Sequence, residues 1–123
     1  MSLPRPMPLL TQRNFDALMS FYADWATLVI EPGRSVSGHA ALRKALAAIA
    51  EHFARIVNVS QEEVLVVEGG DTALVLAKTR VRATLKSGEP YNVLRRATYV
   101  FRKNEVGTWR CDVDNYGTEL LSA

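Results

Sequence analysis

Acidic side chains at the edges of apolar runs are the first candidates for chemistry in this sequence. Glu31 follows the run Thr27-Leu28-Val29-Ile30 and precedes Pro32-Gly33. A carboxylate at the edge of an apolar run is a candidate acid–base group. The alternative is a solvated acid that opens a turn. A second group lies further along. With a turn centred on Glu105-Val106, period-two alternation places Arg95, Ala97, Tyr99 and Phe101 on one face with Arg110, Asp112, Asp114 and Tyr116. Arg96, Thr98, Val100, Trp109, Cys111 and Val113 take the other face. Arg95, Tyr99, Asp112, Asp114 and Tyr116 could orient the polar end of a ligand, or could form a cross-strand ladder of ion pairs on an exposed sheet. One extra residue in either strand would reshuffle this grouping.

Arg80 and Arg82 alternate with Val81 and Ala83, so one face of that strand turns from apolar to basic along its length. Their planar forks suit a carboxylate or phosphate, and they equally suit a sheet edge leaving the interior for water. His39, at a helix start, and His52, beside Glu51, are too isolated for a metal site or a relay. Tyr22, Trp25 and Trp109 stand at element junctions, where aromatic rings pack in a core or line a cavity wall. Cys111 has no histidine near it in sequence and reads as a small packed residue.

The elements that must position these residues belong to one domain, 1–123, because 123 residues bury one core and are too few for two. With 48% of residues hydrophobic and 23% charged, the composition is that of a soluble globular chain rather than a disordered one. Fifteen Lys and Arg against thirteen Asp and Glu leave a net charge of +2, too weak a field to argue for nucleic acid or an anionic membrane as partner. No run approaches the roughly 18 to 20 apolar residues of a membrane span, and the first residues lack the apolar core of a secretory signal. A lone cysteine forms no intramolecular disulfide, and no paired Cys or His spacing suggests zinc. The expectation is a cytoplasmic protein with no metal and no cofactor.

Pro4, Pro6 and Pro8 make residues 1–13 an extended arm. From Asn14 as N-cap, Phe15, Leu18, Met19 and Tyr22 mark one face of a short helix ending near Asp24. A short strand at 27–30 and a loop through Gly38 follow. Leu42, Ala45, Leu46, Ile49 and Phe53 then recur at helical spacing, leaving Arg43, Lys44 and Glu51 for solvent. Beyond them the period drops to two, and the turns Glu68-Gly69-Gly70-Asp71, Lys86-Ser87-Gly88-Glu89 and Asn104-Glu105-Val106-Gly107 cut strands at about 62–67, 72–85, 90–102 and 108–116. Short connections make these an antiparallel meander, so the fold class is α+β.

This order, with its local phrases, resembles the nuclear transport factor 2-like superfamily, which includes ketosteroid isomerases and SnoaL-type polyketide cyclases. The phrases are Phe21-Tyr22-Ala23-Asp24-Trp25-Ala26-Thr27-Leu28, Gly38-His39-Ala40-Ala41-Leu42-Arg43, Gly70-Asp71-Thr72-Ala73-Leu74-Val75, Arg96-Ala97-Thr98-Tyr99-Val100-Phe101-Arg102 and Gly107-Thr108-Trp109-Arg110. They run from residue 14 to about 116. The resemblance implies a highly curved antiparallel sheet forming a cone packed by N-terminal helices, a cystatin-like roll. It also implies a homodimer across open sheet faces and a cavity for a small apolar molecule. Glu31, directly before Pro32, falls at or within one residue of the place of the isomerase general base, whose desolvated carboxylate takes a proton beside a carbonyl. The oxyanion-hole tyrosine of the isomerases comes from a long first helix, here replaced by the arm, and the place of their neutral acid falls close to Arg96-Ala97. Proton transfer of isomerase, cyclase or hydratase type is therefore implied, without the full ketosteroid apparatus. The cyclases place acid–base residues in the closing hairpin, which implies Asp114, Asp112 and Tyr99, with Asp114 at the acid that often follows W-R. Tyr22, Trp25, Arg95, Arg96, Trp109 and Tyr116 are the implied ligand contacts. The alternative is a non-catalytic ligand-binding or dimerisation module.

Overall fold

A computed structural model describes residues 15–115; Asn14, the arm over 1–13 and Tyr116 lie outside the described residues. The elements are α1 (Phe15–Met19), β1 (Tyr22–Glu31), β2 (Arg34–Ser37), α2 (His39–Glu51), β3 (Phe53–Gly69), β4 (Thr72–Leu85), β5 (Pro90–Lys103) and β6 (Trp109–Asn115). All six strands form one curved sheet in the order β2-β1-β6-β5-β4-β3. Each neighbouring pair is antiparallel except β1 and β6, which run parallel. The architecture is α+β, as expected from the pattern of elements.

The first helix stops at Met19, five residues short of the expected Asp24, because Ser20 turns its side chain back onto the carbonyl of Ala17 at 2.6 Å. From Tyr22 the chain is extended, so the short strand expected at 27–30 is a ten-residue strand. The expected loop through Gly38 contains β2, which pairs with β1 across a turn where Gly33 has φ 79°, a conformation natural to glycine. Gly38 opens α2 with φ 89°, and a Cβ there would stand 3.2 Å from the Trp25 ring, so both backbone and space select glycine.

Leu42, Leu46 and Ala50, one turn apart along α2, are buried and hold the helix against the concave side of the sheet. Phe53, expected to close this helix, instead begins β3. That strand runs far beyond the expected 62–67 and carries three register irregularities, each of which bends it and breaks strict alternation. The two long hairpin strands match expectation to within a residue. On β4 and β5 the inner face alternates small and aromatic side chains: Ala73, Val75, Ala77 and Ala97 beside Tyr99 and Phe101. The space left by the alanines is filled from β1 and its approach, with Phe21 meeting Tyr22 edge-on at 4.9 Å between centroids and Phe101 at 5.5 Å.

Candidate functional site

The concave side of the sheet is not filled along its whole length. Between the last turn of α2, the start of β3 and the middle of β4 and β5 lies a hollow of about 360 Å³. Its wall is mainly apolar, with Ile30, Ile49, Phe53, Ile56, Val81 and Leu85 contributing. The polar groups come chiefly from two strands: Thr79 on β4, and Tyr91, Arg95 and Tyr99 at four-residue intervals on β5, with His52 at the end of α2. Period-two geometry explains the β5 series, since residues four apart on a strand point the same way. Arg95 donates from Nη2 to the Tyr91 hydroxyl at 2.6 Å, and the Tyr91 ring meets Phe53 edge-on at 5.1 Å.

Next to this hollow stands a buried acid. Tyr99 faces Asp114 across the β5–β6 ladder, and Asp114 is 2% exposed. The Tyr22 hydroxyl donates to Asp114 Oδ2 at 2.6 Å, joining residues 92 apart in sequence. Oδ1 is buried with no hydrogen-bond partner among the described residues. Burial raises the Asp114 pKa from 3.8 to about 6, while the Tyr22 hydrogen bond works in the opposite direction. Tyr22 itself is pushed well above the usual tyrosine range by burial and by the adjacent carboxylate, so it stays a neutral donor. Burial and the nearby Asp114 likewise raise the Cys111 thiol, which is no thiolate nucleophile.

A bulge sets which acid faces inward. Val100 pairs with Val113 but Phe101 pairs with Cys111, so Asp112 is the extra residue on β6. Strict alternation would have put Asp112 with Asp114 and sent Cys111 outward. Instead Cys111 and Asp114 are buried, while Asp112 stands 3.9 Å from the exposed Arg102. Arg110 pairs opposite Arg102 rather than joining Tyr99 and Asp114.

The other sequence candidates are dispersed. Glu31 ends β1 beside the β1–β2 turn, 3.8 Å from its ladder partner Arg34, with its side chain 60% exposed. Trp25 is 81% exposed and lies against Gly38, away from the hollow. Arg96 is exposed on the outer face opposite Lys78. Trp109 is half-buried against the core, with the Lys103 ammonium 5.6 Å from its ring. Arg80 is engaged by Glu62 at 2.6 Å and Asn92 at 2.9 Å. His39 spends Nε2 on the carbonyls of Tyr22 and Ala23, both at 3.1 Å.

Of the candidates, the structure therefore places Arg95 and Tyr99 in the wall of the hollow, with Asp114 opposite Tyr99 in the ladder and Tyr22 bonded to Asp114. Thr79 and Tyr91 were missed. Their signal was present, since the Lys86–Glu89 turn sets Thr79 opposite Arg95 and alternation places Tyr91 beside it. Among the described residues no group of three or more His, Cys, Asp or Glu side chains is placed to hold a metal ion. No helix of the described residues is long and apolar enough to cross a membrane.

Comparison with known proteins bears on this arrangement. The family model of the SnoaL-like domain matches residues 7–110. Comparison with curated proteins gives no match. Among solved structures, a proposed dehydratase of the nuclear transport factor 2-like family from Streptomyces avermitilis superposes with a TM-score of 0.76 at 23% identity, covering 94% of this chain and 90% of that one. A ketosteroid isomerase-like protein from Erwinia carotovora atroseptica gives 0.73 at 20% identity, covering 94% and 88%. A protein from Catenulispora acidiphila, solved in complex with S-DNPA, gives 0.75 at 16% identity, covering 89% and 82%. These identities establish a shared fold, and the family match spans most of the sequence. The chain belongs to the SnoaL-like domain family of the nuclear transport factor 2-like superfamily.

Proposed function

We propose that the cone holds a small, mainly apolar carbonyl compound and transfers protons on it, with Asp114 as the acid–base group and Tyr22 as its positioning residue. The observation that carries this reading is a carboxylate buried behind the hollow and held near pKa 6, where it exchanges protons readily at neutral pH. Tyr22 occupies Oδ2 and leaves Oδ1 as the oxygen that receives the proton. Asp114 does not itself line the hollow, whereas Tyr99 does, so Tyr99 is the side chain that gives way to the ligand or passes the proton on. The solvated Glu31 and the outward Asp112 take no part. The proposed dehydratase among the structural relatives supports proton-transfer chemistry in such a cone, and the relative in complex with S-DNPA supports ligand binding by this fold.

The test does not require the natural substrate. In heavy water, the chain is expected to catalyse deuterium uptake beside the carbonyl of some members of a panel of aryl and alicyclic ketones, followed by NMR. The rate should rise with pH through a midpoint near 6, because the base form of Asp114 is the active one. Asp114→Asn should abolish uptake; equal uptake by the variant would remove Asp114 from the chemistry.

A second reading concerns assembly. On the outer face Leu65 stands opposite Leu76 and Val67 opposite Leu74, and all four are exposed, from 38% to 58%. Contiguous exposed apolar surface of this kind marks interaction sites. We propose that it pairs with the same face of a second copy. Light scattering should then give twice the 13.7 kDa chain mass, and Leu76→Arg should shift it to monomer. A concentration-independent monomer of the unmodified chain would rule this out.

A further inference from the structure

Resting on the reading of the hollow as a binding site, we propose that its ligand carries a second, neutral oxygen, that of a hydroxyl or carbonyl, at the end remote from Asp114, and that Thr79 and Tyr91 hold it. Thr79 lines the hollow from β4, is 3% exposed, and has a buried hydroxyl with no hydrogen-bond partner among the described residues. A buried hydroxyl left unpaired forfeits its bonds to water, so a threonine at this place in a mainly apolar wall costs stability until something satisfies it. Rotation about χ1 exchanges the positions of its hydroxyl and methyl and turns the oxygen toward a ligand in the hollow. Tyr91 supplies the second hydroxyl. Its oxygen accepts from Arg95 Nη2 at 2.6 Å, and its ring is set edge-on against Phe53. The Tyr91 proton is left to donate, and the positive group on its oxygen makes it a stronger donor. Arg95 has a further interaction besides this bond, so its guanidinium acts on a ligand through Tyr91 and not as a free charge.

The β4–β5 register sets the spacing. Thr79 stands opposite Arg95, Val81 opposite Val93 and Ala83 opposite Tyr91. Tyr91 and Arg95 reach toward each other along β5, so their bond lies near the level of Val81, one inward position or ~7 Å along the strand from Thr79. Two uncharged hydroxyls suit an uncharged oxygen, since taking an anion out of water costs far more. The volume bounds the rest of the molecule, since 360 Å³ is the liquid volume of about a dozen waters at ~30 Å³ each. That admits a one- or two-ring skeleton against Ile49, Phe53 and Val81. Arg95, at the level of Thr79, and Tyr99, at the level of Asp114, are four residues apart, ~13 Å along an extended strand. The ligand class is therefore a small ring compound oxygenated at both ends, with its reactive carbonyl toward Tyr99 and Asp114 and its second oxygen between Thr79 and Tyr91.

The ketones 6-hydroxy-1-tetralone and 6-methyl-1-tetralone share a two-ring skeleton of suitable size and differ only at the far end. Calorimetric titration into the full chain at about pH 6, where a phenol is neutral, is expected to give about five- to tenfold tighter binding for the hydroxy compound. Thr79→Val and Tyr91→Phe should each reduce that preference a few-fold, and the double variant should erase it. Thr79→Val should also unfold at the same temperature as the unmodified chain or higher, because it removes an unsatisfied hydroxyl. If Tyr91→Phe does not fold, Thr79→Val decides. The 6-carboxylate of the same skeleton should bind no tighter than the hydroxy compound. The titration repeated on Asp114→Asn separates the two proposals: a retained preference for the hydroxy compound supports this site even where no deuterium exchange is found, whereas exchange without that preference overturns this site alone. Equal binding of the hydroxy and methyl compounds, binding of neither, a preference that survives loss of the hydroxyls, or tightest binding of the carboxylate overturns the proposal.

Discussion

Asp114→Asn is expected to stabilise the fold at pH 7 while it removes proton transfer. Moving the carboxyl pKa from 3.8 in the unfolded chain to about 6 in the folded one means that ionised Asp114 opposes folding by about 3 kcal/mol. The direction in pH follows from which state holds the proton. Between about pH 4 and pH 6 the folded chain binds more protons at this group than the unfolded chain, so its contribution is fully present below about pH 4 and is lost as pH rises through 6. Asparagine keeps an acceptor for Tyr22 and has no charge to bury, although its amide protons still want partners. A net gain of about 1–3 kcal/mol at pH 7, shrinking to nothing or to a small loss at pH 4, is the expected pattern in urea unfolding. A loss of equal size at both pH values would mean that the carboxylate is better satisfied than its surroundings indicate. Under the proposed proton-transfer role, the buried carboxylate would give up stability for activity.

Tyr22→Phe should act in the opposite sense and with comparable size. The hydroxyl at 2.6 Å is the charge-assisted partner of Asp114 Oδ2, and such bonds to ionised groups contribute about 1.5–3 kcal/mol. Without it the ionised acid is buried with neither oxygen satisfied by that donor, so stability should fall by about 2–3 kcal/mol at pH 8. At pH 4, where the acid is neutral, the loss should be smaller. The Asp114 midpoint should also move above 6, since the tyrosine bond is what lowers it. NMR of the labelled carboxyl carbon would follow that midpoint directly. An unmoved midpoint would show that Tyr22 does not govern the acid.

What could be read from the sequence depended on whether the local period survived. The second helix was legible because Leu42, Leu46 and Ile49 keep helical spacing, and β4 and β5 because glycine-bearing turns bracket uninterrupted alternation. The extension of β1 was hidden, since Phe15, Leu18, Met19 and Tyr22 share a helical spacing that the turn at Ser20 cuts short. Residues 53–61 of β3 were hidden by the irregularities that bend that strand. The site followed the same rule. Arg95 and Tyr99 share a face as alternation requires, whereas the extra residue at Asp112 exchanged the roles of Asp112 and Cys111 and left Asp114 as the inward acid. The bond between Tyr22 and Asp114 has no local signature, because it depends on β1 lying beside β6.

That parallel neighbour pair has a kinetic consequence. The β3–β4 and β4–β5 hairpins can zip from their turns, each contact costing only a short loop closure. Joining Tyr22 to Asp114 closes a loop of 92 residues, the kind of non-local pairing that slows two-state folding. The hairpins can therefore form early and the β1–β6 seam late. The carboxylate enters its apolar surroundings only in that last event, so an incompletely folded chain keeps an ordinary, solvated aspartate there. Proton-transfer competence and completion of the fold would then appear together.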